Sequence, residues 1–490
     1  MSTKLLTRRE FMASAGVCSA ALLSGCATQE EDAQAARPNV LFIAVDDLND
    51  WVGCLGGHPG TITPNIDRLA SRGVLFTNAH CAAPACGPSR AAVMTGIRPA
   101  TSGVYHNNQH FRHSDVLREA VTLPQHFMAH GYTAVGSGKI YHGIHPDPPS
   151  WNDYWPSMTT TRPPDPMPEG RPLNGIPDTS HFDWGPVDVS PGEMGDMQVA
   201  DWVVGQLITP PASPFFIACG FYRPHLPWYV PKRFFDMHPL DSIILPEVNE
   251  NDLDDIPEAG RKMSRWKTDH ANVLKYGQWQ KAVQGYLASI SFADECVGKV
   301  IDALDRSQYS DNTVVVLWSD HGWHLGEKLH WRKFALWEEA THNNLIVNAP
   351  GVTRPGGRCD APVNLIDIYP TLIDLCGLAE KPELEGTSLR PLLDNPDTAW
   401  DTPSLTTHGR GNHSLRSGRW RYTRYADGSE ELYDHMSDPL EWKNLAGDPH
   451  FTVVKNGFAQ WLPRSDAENS PREDRESQLR RMKEMNIQLP

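Results

Sequence analysis

No two of the nine cysteines stand close enough in the sequence to form a CxxC pair. They occupy positions 18, 26, 54, 81, 86, 219, 296, 359 and 376 of the 490 residues. Zinc sites and the disulfide frameworks of small exported domains rely on short, paired cysteine spacings. The spacing therefore predicts neither a thiolate metal site nor a disulfide framework that the fold requires.

Positively charged residues are also fewer than negatively charged ones. The chain has 44 Lys and Arg residues and 60 Asp and Glu residues, so its formal net charge is -16. Nucleic acids are polyanions, so an acidic surface argues against nonspecific binding to them, and we expect no nucleic-acid partner. In such a chain a local cluster of Lys, Arg and His is informative, because an anionic ligand would need one. The length accommodates one large domain and a smaller one.

The N-terminal region contains no apolar run long enough to span a bilayer. Thr7-Arg8-Arg9-Glu10-Phe11-Met12 resembles a twin-arginine export signal, and Leu23-Ser24-Gly25-Cys26 resembles a bacterial lipoprotein cleavage site. We expect residues 1–25 to be a twin-arginine lipoprotein signal, and residues 26–37 to be a tether that starts at a lipidated Cys26. The alternative is a plain signal peptide with an incidental cysteine. In both cases the protein is predicted to be exported, as a periplasmic or cell-surface protein.

Two strongly apolar segments end in residues that can bind a cation. Asn39 to Val45 is a continuous apolar run followed by Asp46-Asp47, and Thr313 to Trp318 is followed by Ser319 and Asp320-His321. Such runs are typical of parallel strands buried on both faces, and ligands bind beyond the carboxyl ends of these strands. A single acidic pair could simply cap a turn. Two such strand ends, distant in sequence, favour a shared site for a hard cation.

The segment Cys86-Gly87-Pro88-Ser89-Arg90 has an order of residues that no common structural role requires. Its structural alternative is a turn at Gly87-Pro88 with Cys86 as a small buried side chain. Residues Ser89 to Gly96 read as the start of a helix, which would place Cys86 where backbone N–H groups favour an anion. The segment resembles the activation motif of type I sulfatases, and Thr95-Gly96 and Arg98 extend the match.

This resemblance implies a specific chemistry at Cys86. In the family, a formylglycine-generating enzyme oxidises the motif cysteine to formylglycine, and that enzyme would be a partner of this chain. The aldehyde hydrate has two hydroxyl groups on one carbon, of which one attacks sulfur and the other later expels sulfate. Arg90 belongs to the motif and is expected to act on the sulfate charge in catalysis.

Three further segments extend the resemblance. Gly138-Lys139-Ile140-Tyr141-His142 resembles the Gly-Lys-x-x-His element of the family, and Pro224-His225-Leu226-Pro227 resembles its Pro-His-x-Pro element. Many members carry Asp-Asn where this chain has Asp320-His321, and the Asp-His form is similar to the iduronate-2-sulfatase branch. Lys333 lies in a basic cluster with Lys328, His330 and Arg332. Outside this context, a lone lysine is usually solvated and a proline-flanked histidine usually belongs to a rigid turn.

The resemblance implies an α/β fold, an alkaline-phosphatase-like sandwich of helices around a large, mainly parallel sheet. Prolines at 391, 396 and 403 predict a boundary near residue 385, between a catalytic domain at 38–385 and a C-terminal subdomain and tail at 386–490. Residues 419–422 and 430–434 flank Asp427-Gly428 and predict an antiparallel hairpin in that subdomain. Residues 144–192 show no sustained periodicity and read as a long surface loop, and we expect it to line the substrate site.

The resemblance also assigns roles to the residues. Calcium is expected at Asp46, Asp47, Asp320 and His321, with residue 86 in the same set, although one imidazole ligand leaves magnesium or manganese open. Lys139, Lys333 and His225 are expected to bind the sulfate. His142 or His225 would protonate the leaving group, and the other histidine would accept the proton during sulfate elimination.

The predicted function is hydrolysis of O-sulfate esters on a sulfated polysaccharide or oligosaccharide, such as a uronate 2-O-sulfate or an algal glycan. Trp151, Trp155, Trp184 and Trp228 could stack on sugar rings or could belong to the core. A phosphodiesterase or phosphonate monoester hydrolase of the same superfamily is one alternative. Another is a catalytically silent lipoprotein that binds sulfated glycans and keeps Cys86 as a thiol.

Overall fold

The computed structural model describes residues 37–177, 181–211 and 214–484. Its strands are β1 (Asn39–Val45), β2 (Val74–His80), β3 (Thr133–Gly138), β4 (Asp153–Trp155), β5 (Trp184–Val187), β6 (Phe215–Phe221), β7 (Trp228–Pro231), β8 (Thr313–Ser319), β9 (His324–Leu325), β10 (Trp331–Arg332), β11 (His342–Asn348), β12 (Gly357–Cys359), β13 (Val363–Asn364), β14 (Ser404–Thr407), β15 (His413–Arg416), β16 (Trp420–Arg424) and β17 (Glu430–Asp434).

The α-helices are α1 (Pro64–Ala70), α2 (Cys86–Thr95), α3 (Pro99–Ser102), α4 (Leu123–Ala129), α5 (Gly195–Ile208), α6 (Lys232–Asp236), α7 (Glu258–Met263), α8 (Ala271–Lys275), α9 (Trp279–Asp305), α10 (Glu338–Thr341), α11 (Ile368–Leu375), α12 (Arg390–Asp394), α13 (Thr452–Ala459) and α14 (Arg475–Glu484). Short 3₁₀ turns connect several of them. No helix in the described ranges is long and apolar enough to cross a membrane.

The central sheet has the strand order β12-β2-β11-β8-β1-β6-β3-β4, and β13 also pairs with β2. Strand β1 pairs in parallel with β6 and β8, whereas β11 runs antiparallel to β2 and β8. Every residue of β1 is buried, as its continuous apolar sequence predicts for a strand covered on both faces. The mainly parallel α/β sandwich predicted from the resemblance is confirmed.

Helices cover both faces of this sheet. Leu41, Ile43 and Val45 of β1 point into one core with the long helix α9, and Val40 and Phe42 point into the other core with α2, α4 and α11. The alternation follows from the two-residue period of a strand. Because the two faces are fully covered, the open edge at the carboxyl ends of the strands is where a ligand can reach the sheet.

The register of the sheet aligns the strand ends that the sequence singled out. Val45 of β1 lies beside Ser319 of β8 and beside Phe221 of β6. The residues that follow them, Asp46 and Asp320, are therefore brought together at one edge.

The C-terminal region forms a second, four-stranded antiparallel sheet in the order β14-β15-β16-β17. The predicted hairpin is confirmed, because Trp420 of β16 pairs with Asp434 of β17 and Arg424 pairs with Glu430. A small core of its own includes Leu405, Leu415 and Leu432. The boundary at residue 385 stays a prediction, and the predicted signal at 1–25 and most of the tether at 26–37 lie outside the described residues.

The expectation that residues 144–192 form a surface loop was wrong in part. The segment is not a loop throughout, because it contains β4 and β5, and β4 extends the central sheet beside β3. Of the tryptophans that could stack on sugar rings or belong to the core, Trp151, Trp184 and Trp228 are buried in the two cores and so offer no face to a sugar. Trp155 is partly buried against the same core.

The C-terminal tail, residues 467–484, returns to the catalytic domain. The backbone of Ser470 donates to the carbonyl of Gly103 at 2.9 Å, and the backbone of Glu473 donates to the carbonyl of Asn108 at 2.7 Å. The Glu473 carboxylate also lies 3.2 Å from Nε2 of His145. The tail therefore packs against the segment that follows α3 and against the segment that follows β3.

Candidate active site

Four potential metal ligands meet beyond the ends of β1 and β8. Asp46 and Asp47 follow β1, and Asp320 and His321 follow β8. The backbone N–H of Asp47 donates to Oδ1 of Asp320 at 3.1 Å, which ties the two strand ends together. Asp47 adopts a φ of 59°, a conformation that costs energy for a residue with a Cβ and is often found at functional sites.

Cys86 is the first residue of helix α2 and is fully buried. Its Sγ lies 3.3 Å from Nε2 of His321, 3.4 Å from Nζ of Lys333 and 3.9 Å from Oδ1 of Asp47. Burial and the Asp46 charge raise the pKa of this thiol, but the ammonium groups of Lys139 and Lys333 outweigh them and lower it overall. The helix begins three residues earlier than the sequence indicated, so Cys86 stands in its first turn.

Other residues of the activation segment hold the site together. The Ser89 hydroxyl donates to the backbone carbonyl of Asp320 at 2.5 Å. The buried Arg90 guanidinium contacts Asp320 through Nε at 2.8 Å and Asp46 at 3.1 Å, and it donates to the Lys139 carbonyl. Arg90 thus connects the ends of β1 and β8 to the segment after β3.

The two predicted sulfate-binding lysines each pair with an aspartate. Lys139 contacts Asp46, and Lys333 contacts Oδ1 of Asp47 at 2.6 Å. Burial by itself raises the pKa of Asp46, but the charges of Lys139 and neighbouring cations hold it well below its usual value. Burial lowers the pKa of Lys333, yet the Asp47 charge raises it overall. Both lysines therefore remain charged at neutral pH.

The donor set fits a divalent cation. One donor atom from each of Asp46, Cys86, Asp320 and His321 lies within 4.8 Å of all the others, and Asp46, Asp47, Cys86 and His225 form a second such group. The buried Oδ2 of Asp47 has no hydrogen-bond partner among the described residues. Burial raises the pKa of Asp47 to about 7 in spite of Lys333, so this carboxylate lacks sufficient countercharge. A hard cation would supply that charge.

The two candidate proton-transfer histidines differ in orientation. Nδ1 of His225 lies 2.6 Å from the Leu226 carbonyl and must donate to it, so the neutral ring presents an unprotonated Nε2. That Nε2 lies 3.8 Å from Oδ2 of Asp47. Nδ1 of His142 is buried without a hydrogen-bond partner in the part of the chain that the structure describes. Burial and Lys139 lower the pKa of His142 to about 3, and burial and Lys333 lower that of His225, so both rings are neutral near pH 7.

These residues line one cavity of about 1100 Å³. Lys139, His142, His225 and Lys333, all predicted from the sequence, lie on its wall. The other predicted site residues do not line the cavity, but the contacts described above connect them to the residues that do. They are Asp46, Asp47, Cys86, Arg90, Asp320 and His321. The structure therefore brings together every predicted site residue, and their catalytic and metal-binding roles stay predictions.

Sequence reasoning did not single out several residues of the same cavity, although two of them, Arg162 and His181, lie in the segment 144–192 that it expected to line the substrate site. These residues include Asn107, Arg162, His181, Tyr222, Gln478 and Met482. Oδ1 of Asn107 accepts a hydrogen bond from the backbone of Gly87 at 2.8 Å. A Cβ on Gly87 would approach Asn107 Cα to 3.1 Å, which accounts for a glycine there. Gln478 and Met482 come from the tail, and no local sequence pattern connects them with Cys86.

Comparison with known proteins agrees with this geometry. The profile of the Sulfatase family matches residues 38–378. The chain belongs to the sulfatase family. A second profile, described as N-sulphoglucosamine sulphohydrolase, C-terminal, matches residues 326–468.

Two relatives extend the similarity over most of the chain. A protein named sulfatase from Formosa agariphila is 39% identical over 478 residues, which cover 92% of this chain and 91% of that protein. Human iduronate 2-sulfatase is 33% identical over 517 residues, which cover 84% of this chain and 91% of that protein. The resemblance to the iduronate-2-sulfatase branch is thus confirmed, and this sulfatase is an enzyme of the sulfuric ester hydrolase class.

A solved structure supports the fold. It is a protein in complex with D-glucosamine-2-N,6-O-disulfate, described as its substrate, with a TM-score of 0.69 and 22% identity. The alignment covers 87% of this chain and 97% of that chain. At this identity the match supports the architecture, and the substrate of this sulfatase must be argued from its own site.

Proposed function

We propose that this sulfatase removes O-sulfate groups from a sulfated glycan, using calcium and a formylglycine formed from Cys86. The observation that carries the proposal is the position of Cys86. It stands in the first turn of α2, with Sγ 3.4 Å from Lys333 and 3.3 Å from His321. A buried cysteine between a cation and a candidate metal ligand has no evident structural purpose, whereas a nucleophile that attacks a sulfate ester needs both.

Calcium would be held by Asp46, Asp47, Asp320 and His321, with residue 86 beside it. When bound, it would supply positive charge to the sulfate oxygens and so lower the barrier to attack at sulfur. Three carboxylates and one imidazole suit a cation that accepts flexible oxygen coordination. Arg90 keeps two of these carboxylates in place through its contacts with Asp46 and Asp320.

Formylglycine would supply a hydrate whose first hydroxyl attacks sulfur and whose second allows sulfate to leave. The side chains of the protein then transfer protons and stabilise the developing charge. Oδ1 of Asp47, 3.9 Å from Sγ of Cys86, is placed to accept the proton of the attacking hydroxyl. Lys139 and Lys333 hold the sulfate oxygens and stabilise the charge that develops on them. His225 and His142 line the cavity and are the candidates for exchanging protons with the leaving sugar oxygen and the second hydroxyl; the unprotonated Nε2 of neutral His225 must accept a proton before it can give one.

For the substrate we propose a sulfated, uronate-containing saccharide, with a uronate 2-O-sulfate as the first candidate. The name of the human relative, iduronate 2-sulfatase, supports this choice. The cavity also fits it, because about 1100 Å³ accommodates a sugar and basic side chains outnumber acidic ones on its wall. A sulfated algal glycan has the same chemistry and is the second candidate.

We further propose that the protein is exported and anchored by a lipid at Cys26. The twin-arginine and lipoprotein cleavage patterns support this proposal. Fractionation of the producing cells tests it. Cys26→Ser should move the protein from the membrane to the soluble fraction, and replacing both Arg8 and Arg9 by lysine should retain it in the cytoplasm. Unchanged fractionation of both variants would refute the proposal.

Mass analysis of one peptide tests the nucleophile. Trypsin releases residues 73–90, which contain Cys81 and Cys86. After reduction and alkylation, the unmodified peptide takes two alkyl groups, whereas the peptide with formylglycine takes one and has lost a sulfur atom. Cys81 is the internal control for complete alkylation. Two alkyl groups in active protein would refute the formylglycine and favour the silent binding protein.

Comparative kinetics test the reaction class. The purified protein should hydrolyse sulfate esters with a higher kcat/KM than the matched phosphate diester and phosphonate monoester. The opposite order would assign the chain to the phosphodiesterase or phosphonate hydrolase alternative.

A further inference from the structure

A second cavity of about 510 Å³ adjoins the catalytic cavity. Its lining includes His106, Lys262, Arg265, Phe334, His408 and Asn412, and we refer to it as the outer groove. It lies where the catalytic domain meets the C-terminal sheet, because His408 and Asn412 belong to the turn between β14 and β15. Junctions between domains are common sites for ligands.

Phe334 connects the two cavities, because its side chain lines both. Its ring centroid lies 5.8 Å from Nζ of Lys333, at the reaction centre, and 5.9 Å from Cζ of Arg265, in the outer groove. The backbone of Phe334 has a φ of 74° and donates to the Pro84 carbonyl at 3.0 Å. The neighbours His106 and Asn107 also connect them, because His106 lines the groove and Asn107 lines the catalytic cavity.

The outer groove is basic in an acidic protein. Lys262 and Arg265 line it, and no Asp or Glu among the described residues does, although the chain carries a net charge of -16. Arg265 lies 3.7 Å from Asp269, but that carboxylate is already engaged by Arg332 at 2.6 Å. Lys262 lies 3.8 Å from Glu258, and both side chains are largely exposed. Neither cation of the groove is therefore neutralised by a close ion pair of its own.

We propose that the outer groove is a subsite for a further anionic sugar of the substrate chain, one that lies beyond the disaccharide unit whose sulfate is removed. Lys262 and Arg265 would pair with its sulfate or carboxylate groups, and the Phe334 ring would pack against the sugar between the two sites. The inference rests on the proposed function, and it makes this sulfatase an enzyme that prefers oligosaccharides to isolated sulfated monosaccharides or disaccharides.

The test compares saccharide lengths. The kcat/KM is measured on a 2-O-sulfated uronate disaccharide and on the tetrasaccharide of the same repeat, both prepared from heparin. Wild type should favour the tetrasaccharide by about tenfold, as expected if the sugar in the outer groove contributes about 1.4 kcal/mol. Lys262→Ala combined with Arg265→Ala should remove most of that preference. The matched control is Lys267→Ala, an exposed lysine that lines neither cavity and should keep the preference.

Calorimetric binding of the tetrasaccharide separates this inference from the proposed function. If neither saccharide is hydrolysed but the double variant binds the tetrasaccharide about tenfold more weakly than Lys267→Ala does, the assigned substrate is wrong and the subsite stands. If wild type does not distinguish the two lengths in binding or turnover, or if the double variant behaves like Lys267→Ala, the subsite is refuted. Melting curves check that all variants are folded.

Discussion

At the residue scale, three carboxylates of the site face three cations, although Asp47 still lacks sufficient countercharge. Asp46, Asp47 and Asp320 face the cations Arg90, Lys139 and Lys333 in a region that excludes water. Buried ion pairs of this kind contribute little to stability by themselves, because desolvation offsets the attraction. A divalent cation bound to the carboxylates would leave Lys139 and Lys333 free to face an anion. The arrangement is therefore better explained by anion binding than by stability.

The contribution of Lys333 can be measured by removing it. Lys333→Ala should lower kcat/KM about a hundredfold, or roughly 3 kcal/mol, because a preorganised charge in a shielded site stabilises the transition state strongly. The matched control is Lys232→Ala, which removes an exposed lysine paired with Asp236. The assay is turnover of an aryl sulfate. A Lys333→Ala enzyme within twofold of wild type would show that this lysine does not contact the sulfate.

The two histidines can be separated through the leaving group. If His225 protonates the departing oxygen, His225→Ala should be slow on an alkyl sulfate, whose alkoxide leaves poorly, and much less impaired on an aryl sulfate. A histidine that serves sulfate release instead should impair both substrates similarly once that step limits the rate. Equal losses for His225→Ala, with a selective loss for His142→Ala, would reverse the two roles. If neither variant discriminates, the proton comes from another group.

At the element scale, the site was predictable where it depends on strand ends. The apolar runs of β1 and β8 identify buried parallel strands, and their acidic ends must then meet at one edge of the sheet. Short motifs located Cys86, Lys139 and His225 for the same reason, since each follows directly from local residue order. Other residues, such as Gln478 of the tail, were not predicted. Tertiary packing brings them to the cavity, and such packing produces no periodic pattern in the sequence.

Residues 144–192 show why the remaining structure was harder to predict. Strands β4 and β5 have only three and four residues, too few to show a two-residue alternation. Proline and glycine are frequent around them and indicate turns. Tertiary contacts decide the outcome, because β4 pairs with β3 at the edge of the sheet and Trp184 packs on Trp228 with ring centroids 5.5 Å apart.

A buried arginine of the antiparallel sheet contributes to its junction with the catalytic domain. Arg421 of β16 contacts Glu338 of α10 and contacts Glu441 at 2.5 Å. Arg421→Ala should lower the free energy of unfolding by about 3–5 kcal/mol, because it removes a buried countercharge that Arg416, beside Glu338, and His435, beside Glu441, replace only in part. Arg419→Ala is the matched control, since Arg419 pairs with Asp434 at the surface and should leave the free energy of unfolding nearly unchanged.

Chemical denaturation of both arginine variants checks this prediction. Similar midpoints for Arg421→Ala and Arg419→Ala would contradict it and would indicate that the carboxylates are solvated or protonated in the variant. An aryl sulfate assay on the same samples reports whether the junction also affects the catalytic cavity, to which Phe334 and Arg332 contribute from the neighbouring segment.

At the scale of the whole molecule, the first strand and the last helix of the described residues both contribute to the site. β1 provides the first carboxylates, and the tail that ends the described chain adds Gln478 and Met482 to the wall of the same cavity. A surface of net negative charge repels sulfated polymers at long range, so binding must depend on the local cations of the cavity and the outer groove. High ionic strength screens exposed charges more than buried ones. The outer groove should therefore lose affinity before the catalytic cavity does.

Calcium binding should stabilise the entire fold, because the proposed ligands come from two strands and a helix that must all be folded to meet. A ligand that binds only the native state stabilises it by about 2.7 kcal/mol at one hundred times its Kd. Wild-type protein treated with a chelator should therefore melt at a lower temperature, lose activity, and recover both when calcium is added. Replacing calcium with magnesium or manganese in the same titration identifies the preferred ion.

The variant Asp320→Asn tests whether the calcium-dependent rise in melting temperature arises at the proposed site. The amide cannot replace the carboxylate as a charged ligand, so the rise in melting temperature with calcium should be abolished. Because Asp320 also pairs with Arg90, the variant is expected to be less stable from the start, and the comparison must be the calcium-dependent shift within each protein. Asp236→Asn, an exposed carboxylate paired with Lys232, controls for nonspecific calcium binding and should keep the full shift. A shift of wild-type size in Asp320→Asn, or full activity of a chelated protein that contains no metal, would show that these four residues do not hold a functional ion.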